Sequence, residues 1–404
     1  MTAVKFKEYS LWCVYSKYLK TTVLKRRFFM RKFNIKAQIH KLYTLTTVGY
    51  FRIAGASWVA LLALRGFSMF EIGMLESIFH IVSSCFEIPS GVVADVFGRK
   101  KTMVLASLVS FVSGLFMILS NNFWSVAFAI GFSALSYNLE SGTREALAYD
   151  SLKFAGQEEK YNRFASTEMM LYRITSSTAI LCAGFALWLG YRKAYAFDIV
   201  FSLIAIGIAC SLNEVSVSND ENTDNTENNN PNANKDTKIG NRLKKVITES
   251  WRFMITNKKA RSIMVINEII GAVSTLVLFF LQAKLPLAGL NDALLGPALF
   301  VMGLGAAFGA KAAGFFPKWK YKKYIIISCI GVAFAFAMVF TELPYVMILG
   351  GFAGSFFDDF IEVRTDIILN EMIPSEQRAT LISVNSFMFS LVMIVMSTLM
   401  GSIM

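Results

Sequence analysis

The chain has few of the residues from which most enzyme and metal sites are built. Its 404 residues include two histidines and five cysteines, and no His/Asp or Cys/His pair occurs at catalytic or metal-ligand spacing. Four of the cysteines lie in apolar runs, which argues against a disulfide framework. A nucleotide-binding motif is also absent from the sequence. We therefore expect no enzyme, no cofactor and no metal.

Charged residues are scarce as well. They make up 17% of the chain, whereas a soluble domain has about a quarter. Hydrophobic residues reach 55%, and many lie in runs long enough to cross a hydrocarbon core of roughly 30 Å. The net charge of +12 gathers in loops and near the N-terminus, which the positive-inside rule explains without a nucleic-acid partner. These features predict an all-α integral membrane protein.

The apolar runs predict eleven membrane spans in two groups, six and then five. The expected spans lie near residues 42–64, 70–94, 102–120, 123–148, 164–189, 194–212, 262–284, 292–316, 323–340, 344–370 and 377–403. The expected domains are a basic tail over 1–41, a six-helix bundle over 42–212, a cytoplasmic linker over 213–261 and a five-helix bundle over 262–404. The linker combines a disordered, Asn-rich part with an amphipathic surface helix near 240–260.

Both ends of the chain leave alternatives open. In the basic tail over 1–41, either the segment Leu11–Val23 is a helix lying on an anionic membrane surface, or residues 1–29 lie upstream of a true start at Met30. A shift of about 220 residues places Arg364 on Arg144, which indicates the internal repeat typical of transporters. Under that shift nothing in the second half corresponds to the sixth span. We therefore expect helix twelve to be missing, and a truncated, non-functional fragment is one interpretation.

A short basic loop joins the second and third predicted spans. An apolar run ends there with Gly91 and Asp95, and Gly98, Arg99 and Lys100 follow directly. Such a tight cationic loop marks the cytoplasmic side of a membrane. A carboxylate at the membrane edge is costly, so Asp95 needs a partner.

The pattern Gly-x-x-x-Asp-x-x-Gly-Arg-Lys, preceded by Glu87-Ile88-Pro89-Ser90, resembles the loop between helices two and three of the major facilitator superfamily. The resemblance implies two helical bundles that rock about a central substrate site. It also implies that Asp95, Gly98 and Arg99 hold the inward gate shut through charge pairs between helix ends, and that Gly91 lies where two helices touch.

Two other patterns of this superfamily are missing. Proton-coupled drug exporters of the family carry an Arg early in helix four, and Trp124–Gly131 has none. They also carry a Gly-Pro pair in helix five, which Cys182-Ala183-Gly184-Phe185 does not match. These departures weaken a drug/proton antiport assignment and leave the direction of transport open.

Charged residues inside the second span form a stripe. Glu76, His80 and Glu87 are spaced so that they share one helical face. We expect this face to line a central aqueous path, because charges within a membrane span normally face a cavity or a partner. Glu76 and His80 are one turn apart and can share a proton. The alternative is a satisfied polar contact with a neighbouring helix.

The fourth and tenth spans add a second set of charges. Glu140 and Arg144 are one turn apart and can pair, while Asp359, Glu362 and Asp366 are expected to stack on one face. These acids can pair with cations of another helix, bind a cationic substrate or carry protons. For each residue an interhelical salt bridge is the competing interpretation.

Together these features predict a secondary transporter in the cell membrane, with a cytoplasmic N-terminus. We expect a proton-coupled exporter of a small organic solute that works by alternating access. An uptake symporter is the alternative. The expected partners are the solute, a proton or other coupling ion and the lipid bilayer. We expect no nucleic acid and a monomer, with a dimer as the other possibility.

Overall fold

The computed structural model describes residues 33–215, 257–372 and 378–404. Residues 1–32 of the predicted basic tail lie outside the described residues, as do 216–256 of the predicted linker. Most of the amphipathic helix expected near 240–260 falls in that second gap. Three residues of the predicted linker, Asn213–Val215, are described and pack on the first bundle: the backbone N–H of Asn213 donates to Oε1 of Gln38 at 3.0 Å.

The described part of the chain is helical. The first bundle contains α1 Ile35–Tyr50, α2 Ile53–Ala56, α3 Trp58–Ala63, α4 Met69–Phe97, α5 Arg99–Leu119, α6 Phe123–Glu140, α7 Thr143–Phe154, α8 Tyr161–Leu181, α9 Ala183–Leu189 and α10 Tyr191–Ser211. The second bundle contains α11 Lys258–Leu287, α12 Asp292–Ala313, α13 Tyr321–Met338, α14 Pro344–Met372 and α15 Arg378–Ile403.

Within the described residues these helices make eleven crossings, as the sequence predicts. Seven of them are long and apolar enough to span a membrane by themselves, namely α4, α5, α10, α11, α12, α13 and α15. One further span is the pair α8 and α9, which is bent by 48°. The other three are the first span, broken into α1, α2 and α3, the fourth, broken between α6 and α7, and the charge-rich α14.

Local chemistry sets several helix ends. Ser68 and Glu71 form a capping box at the start of α4, and Asn122 caps α6 in the same way with Ser125. Gly98 alone separates α4 from α5, with a φ of 96°. A side chain at this φ would be strained, so the turn between these two helices requires glycine.

The two bundles share one apolar core at one end of the molecule. This core joins Leu75 of the first bundle to Leu276, Phe280 and Met393 of the second. We call this the closed end; it carries the short connections near residues 64–68, 120–122 and 339–343. Trp58 of α3 packs on Phe279 of α11 here, with ring centroids 5.3 Å apart.

At the opposite end the cores are separate. Leu42, Leu147 and Leu212 belong to a cluster within the first bundle, whereas Met264 and Leu369 belong to a cluster within the second. We call this the basic end, because it carries the loop at Gly98–Lys101 and the lysines of residues 318–323. Within the described ranges, the bundles therefore share a core at the closed end and have separate cores at the basic end.

Close backbone contacts seal the closed end. Gly73 of α4 lies against the carbonyl of Ser397 in α15, and Gly296 of α12 lies against the carbonyl of Leu181 in α8. The hydroxyls of Ser77 and Ser397 are 2.7 Å apart. Small residues permit helices to approach this closely in a membrane, where packing and hydrogen bonds drive association.

Candidate functional site

A cavity of about 730 Å³ lies between the bundles, lined by side chains of α4, α6, α11, α14 and α15. Among the described residues, its wall contains five carboxylic side chains and one histidine, and neither lysine nor arginine. The acids are Glu76, Glu87, Glu268, Asp358 and Glu362. The cavity is therefore acidic.

The first-bundle wall is the stripe that the sequence predicts on the second span. Glu76, His80 and Glu87 all line the cavity. Oε1 of Glu76 lies 3.3 Å from Nε2 of His80, and Nδ1 of His80 is 3.4 Å from the hydroxyl of Ser390 on α15. The Glu76–His80 pair thus reaches the second bundle through one hydrogen bond.

The second-bundle wall departs from the predicted face of α14. Asp358 and Glu362, one turn apart, line the cavity, whereas Asp359 and Asp366 are not among its lining residues. The four acids cover a wide arc of one helix, and the packing of α14 against its neighbours decides which of them face the cavity. Gly271 of α11 leaves room here, because a Cβ at that position would lie 3.3 Å from Oδ1 of Asp358.

Arg144 forms a buried charge network in the first bundle, beside a pocket of about 340 Å³. Its Nη1 donates to Oε1 of Glu140 at 3.0 Å, as the sequence predicts, and its Nη2 donates to the hydroxyl of Tyr50 at 3.1 Å. Its Nε lies 2.5 Å from Oε1 of Glu168 without hydrogen-bond alignment, so this is a charge contact. The pair between Arg144 and Glu168 does not follow from helical spacing, because Glu168 lies on α8 and reaches Arg144 only in the folded bundle.

The loop at the basic end is held within the first bundle. The guanidinium of Arg99 pairs with the carboxylate of Asp150 and donates to the carbonyl of Ala146. The carboxylate of Glu214 accepts the backbone N–H groups of Arg99 and Lys100, both at 3.0 Å. This caps the start of α5, where the helix dipole favours an anion.

The expected gate loop lies at the basic end of the cavity. Gly91 lines the central cavity, and among the described residues outside its own helix no atom lies within 4 Å of the position that a Cβ would take there. The described part of the chain thus shows no close helix contact at Gly91. Asp95 is exposed near the end of α4.

Asp198 of α10 is a site that sequence reasoning missed. Its carboxylate is buried and accepts the backbone N–H of Ile53 at 2.8 Å and of Gly55 at 2.9 Å. It thereby caps α2 and holds the break in the first span. The sequence does contain a signal for this site, because Asp198 is the single charged residue of the predicted sixth span.

Two helical bundles around a polar cavity, sealed at one end, define a membrane transporter of the alternating-access class. A family model described as Major Facilitator Superfamily matches residues 42–324. The chain belongs to the major facilitator superfamily, whose members are multi-pass secondary transporters of small molecules and not enzymes.

Solved structures show the same fold. The nucleoside transporter NupG is 14% identical with a TM-score of 0.67, over 92% of this chain and 91% of that one. The D-xylose-proton symporter is 13% identical with a TM-score of 0.64, over 90% of each chain. An inward-facing, unoccupied bacterial homologue of the human lysosomal transporter Spinster is 14% identical with a TM-score of 0.62, over 89% of this chain and 80% of that one. Comparison with curated proteins gives no match.

Proposed function

We propose that this transporter exchanges a small organic cation for protons and exports the cation from the cell. The observation that supports this most is the wall of the central cavity, which in the described part of the chain carries five carboxylic side chains and neither lysine nor arginine. A cavity of about 730 Å³ falls within the range that holds small organic ligands. Phe79, Tyr137 and Phe389 add aromatic faces, which attract organic cations.

Exchange follows from the cost of moving charge across the membrane. Carboxylates that become enclosed between two apolar bundles must be neutralised, since an uncompensated buried charge is costly. A proton or a bound cation can neutralise the same carboxylate, but the two compete for it. If the bundles can close only when the carboxylates hold either a proton or a cation, each passage of the site carries one of the two across the membrane. Such a transporter exchanges the cation for protons.

Orientation supports export. The basic loops at Gly98–Lys101 and near residues 318–323 favour the cytoplasmic side of the cell membrane. The cavity then opens to the cytoplasm in this conformation, so that an internal cation enters it directly. An inward-directed proton gradient would drive the return of the protonated carrier.

Proton-linked uptake is the second candidate, and one observation favours it. The acids lie on two walls, Glu76 and Glu87 on α4 and Asp358 and Glu362 on α14. A proton on one wall and a solute on the other can be bound at the same time. Symport requires such simultaneous binding.

Reconstituted liposomes distinguish these candidates. A phenethylguanidinium probe keeps its charge near neutral pH, so it is not trapped passively by a pH gradient. We expect the probe to accumulate in vesicles that are acidic inside, because outward proton flow drives its entry. Accumulation only in vesicles that are alkaline inside would support symport. If the probe moves in neither case, relative to protein-free vesicles, the organic-cation proposal is wrong.

A further inference from the structure

A second polar chamber lies inside the first bundle, next to the central cavity. It measures about 310 Å³ and is enclosed by α2, α3, α4, α5, α6 and α10. We call it the side chamber. Glu76 and Phe79 line both the side chamber and the central cavity, so the two spaces meet at these residues. A solute in the central cavity can therefore extend a small group past them.

Hydroxyl groups dominate the polar lining of the side chamber. Two of these hydroxyls, on Ser113 and Ser202, already have partners, because they donate to the carbonyls of Ala129 and Asp198 at 2.8 and 3.2 Å. Ser110 differs from them: its side chain is 4% exposed and, within the described residues, its hydroxyl has no hydrogen-bond partner. A buried hydroxyl without a partner is costly, so the chamber is suited to a polar occupant.

The charge of the side chamber favours a cation. Arg52, Asp198 and Glu76 line it, which gives one positive and two negative groups. Asp198 offsets Arg52, and both of its oxygens already accept backbone N–H groups of α2. Glu76 supplies the remaining negative charge, with His80 beside it on the same helix.

We propose that the side chamber is a subsite for a primary ammonium group of the transported cation. Such a group has three N–H donors, and the chamber offers the carboxylate of Glu76 and the hydroxyl of Ser110 as acceptors. The rings of Phe79 and Trp58 attract the same positive charge. A trimethylammonium group has the same charge but no donor, so it leaves both acceptors unpaired. This inference rests on the proposed transport of an organic cation and adds its chemical class.

The test compares two probes on the purified, full-length protein. Phenethylammonium and phenethyltrimethylammonium differ only at the nitrogen, and each is titrated while thermal unfolding is recorded, because a ligand that binds the folded state stabilises it. We expect half-maximal stabilisation at a concentration at least about 10-fold lower for the primary ammonium, since sites built to pair N–H groups reject analogues without them.

Three variants test whether the side chamber causes the difference in affinity between the two probes. Ser110→Ala and Glu76→Gln should bring the two probes close to equal, and Ser133→Ala tests the chamber if Ser110→Ala does not fold. Ser107→Ala is the matched control on α5, because its hydroxyl donates to the carbonyl of Met103 and does not line the chamber. The Ser107→Ala protein should bind the primary ammonium probe more tightly than the trimethylammonium probe, as the parental protein does.

The remaining outcomes contradict the inference. Equal stabilisation of the parental protein by both probes would overturn the ammonium subsite and leave the organic-cation proposal standing. A preference that survives in Ser110→Ala, Ser133→Ala and Glu76→Gln would also overturn it, because the discrimination would then lie elsewhere. Failure of both probes to stabilise the protein would set aside the organic-cation proposal and, with it, this subsite.

Discussion

Two neighbouring acids on α14 test the central cavity at the scale of single residues. Asp358 lines the cavity and Asp359 does not, although both are aspartates within one turn of the same helix. We expect Asp358→Asn to weaken binding of an organic cation by about 10-fold or more, because the neutral amide still accepts a hydrogen bond but no longer forms an ion pair with the cation. Binding is measured by thermal stabilisation of the purified protein.

The control for this prediction is Asp359→Asn, which likewise replaces a carboxylate with a neutral amide. It should bind the cation with nearly parental affinity. Equal weakening in the two variants would mean that overall charge, and not contact with the cavity, governs binding.

Arg144 makes the clearest stability prediction. Its guanidinium is buried and contacts Glu140, Glu168 and Tyr50. Arg144→Met should destabilise the protein by about 3–5 kcal/mol, since it leaves the buried carboxylate of Glu168 and the half-buried one of Glu140 without their cation. Arg163→Met, at an exposed arginine of α8, should cost less than about 1 kcal/mol. Unfolding in detergent compares the two, and equal losses would show that the Arg144 network contributes little.

Single residues were predicted from the sequence where their neighbours are local. The pair Glu140 and Arg144 and the stripe Glu76, His80 and Glu87 follow from helical spacing alone. The choice of Asp358 over Asp359 does not, because it depends on how α14 is rotated against α11, α12 and α13. Periodicity fixes which residues share a face and leaves open which face is buried.

At the scale of elements, glycines set how closely helices pack within the second bundle. A Cβ on Gly309 of α12 would clash with the backbone carbonyl of Phe356 on α14. Gly309→Ala should therefore destabilise the protein by about 1–3 kcal/mol, the usual cost of overpacking.

Gly303→Ala is the matched control on the same helix. A Cβ there would meet no described atom within 4 Å outside its own helix. It should not destabilise the protein, because alanine is the better helix former. If the two variants unfold alike, the close packing of α12 on α14 contributes nothing measurable.

The number and order of the spans were predictable, whereas the helix breaks were not. Long apolar runs locate the eleven crossings because each must cover the hydrocarbon core. The break between α1 and α2 depends on Asp198 of α10, far away in the sequence, which accepts two backbone N–H groups there. The first helix also starts at Ile35 instead of residue 42, since Asn34 caps it.

At the scale of the whole molecule, the structure shows one of the two conformations between which an alternating-access transporter moves. In the described residues, apolar packing and glycine contacts join the bundles at the closed end, while the acidic cavity extends toward the basic end as far as Gly91. For transport, the closed end must separate as the basic end closes. The sequence predicts the architecture that permits this motion but not which end is open.

A disulfide across the closed end tests alternating access most directly. The hydroxyls of Ser77 on α4 and Ser397 on α15 are 2.7 Å apart, so cysteines at these positions can be oxidised to a disulfide. In the Ser77→Cys/Ser397→Cys protein we expect oxidation to stop transport and reduction to restore it, while each single variant is unaffected by oxidant. Transport that continues at the parental rate with the disulfide fully formed would contradict the account, because the closed end would then never need to open.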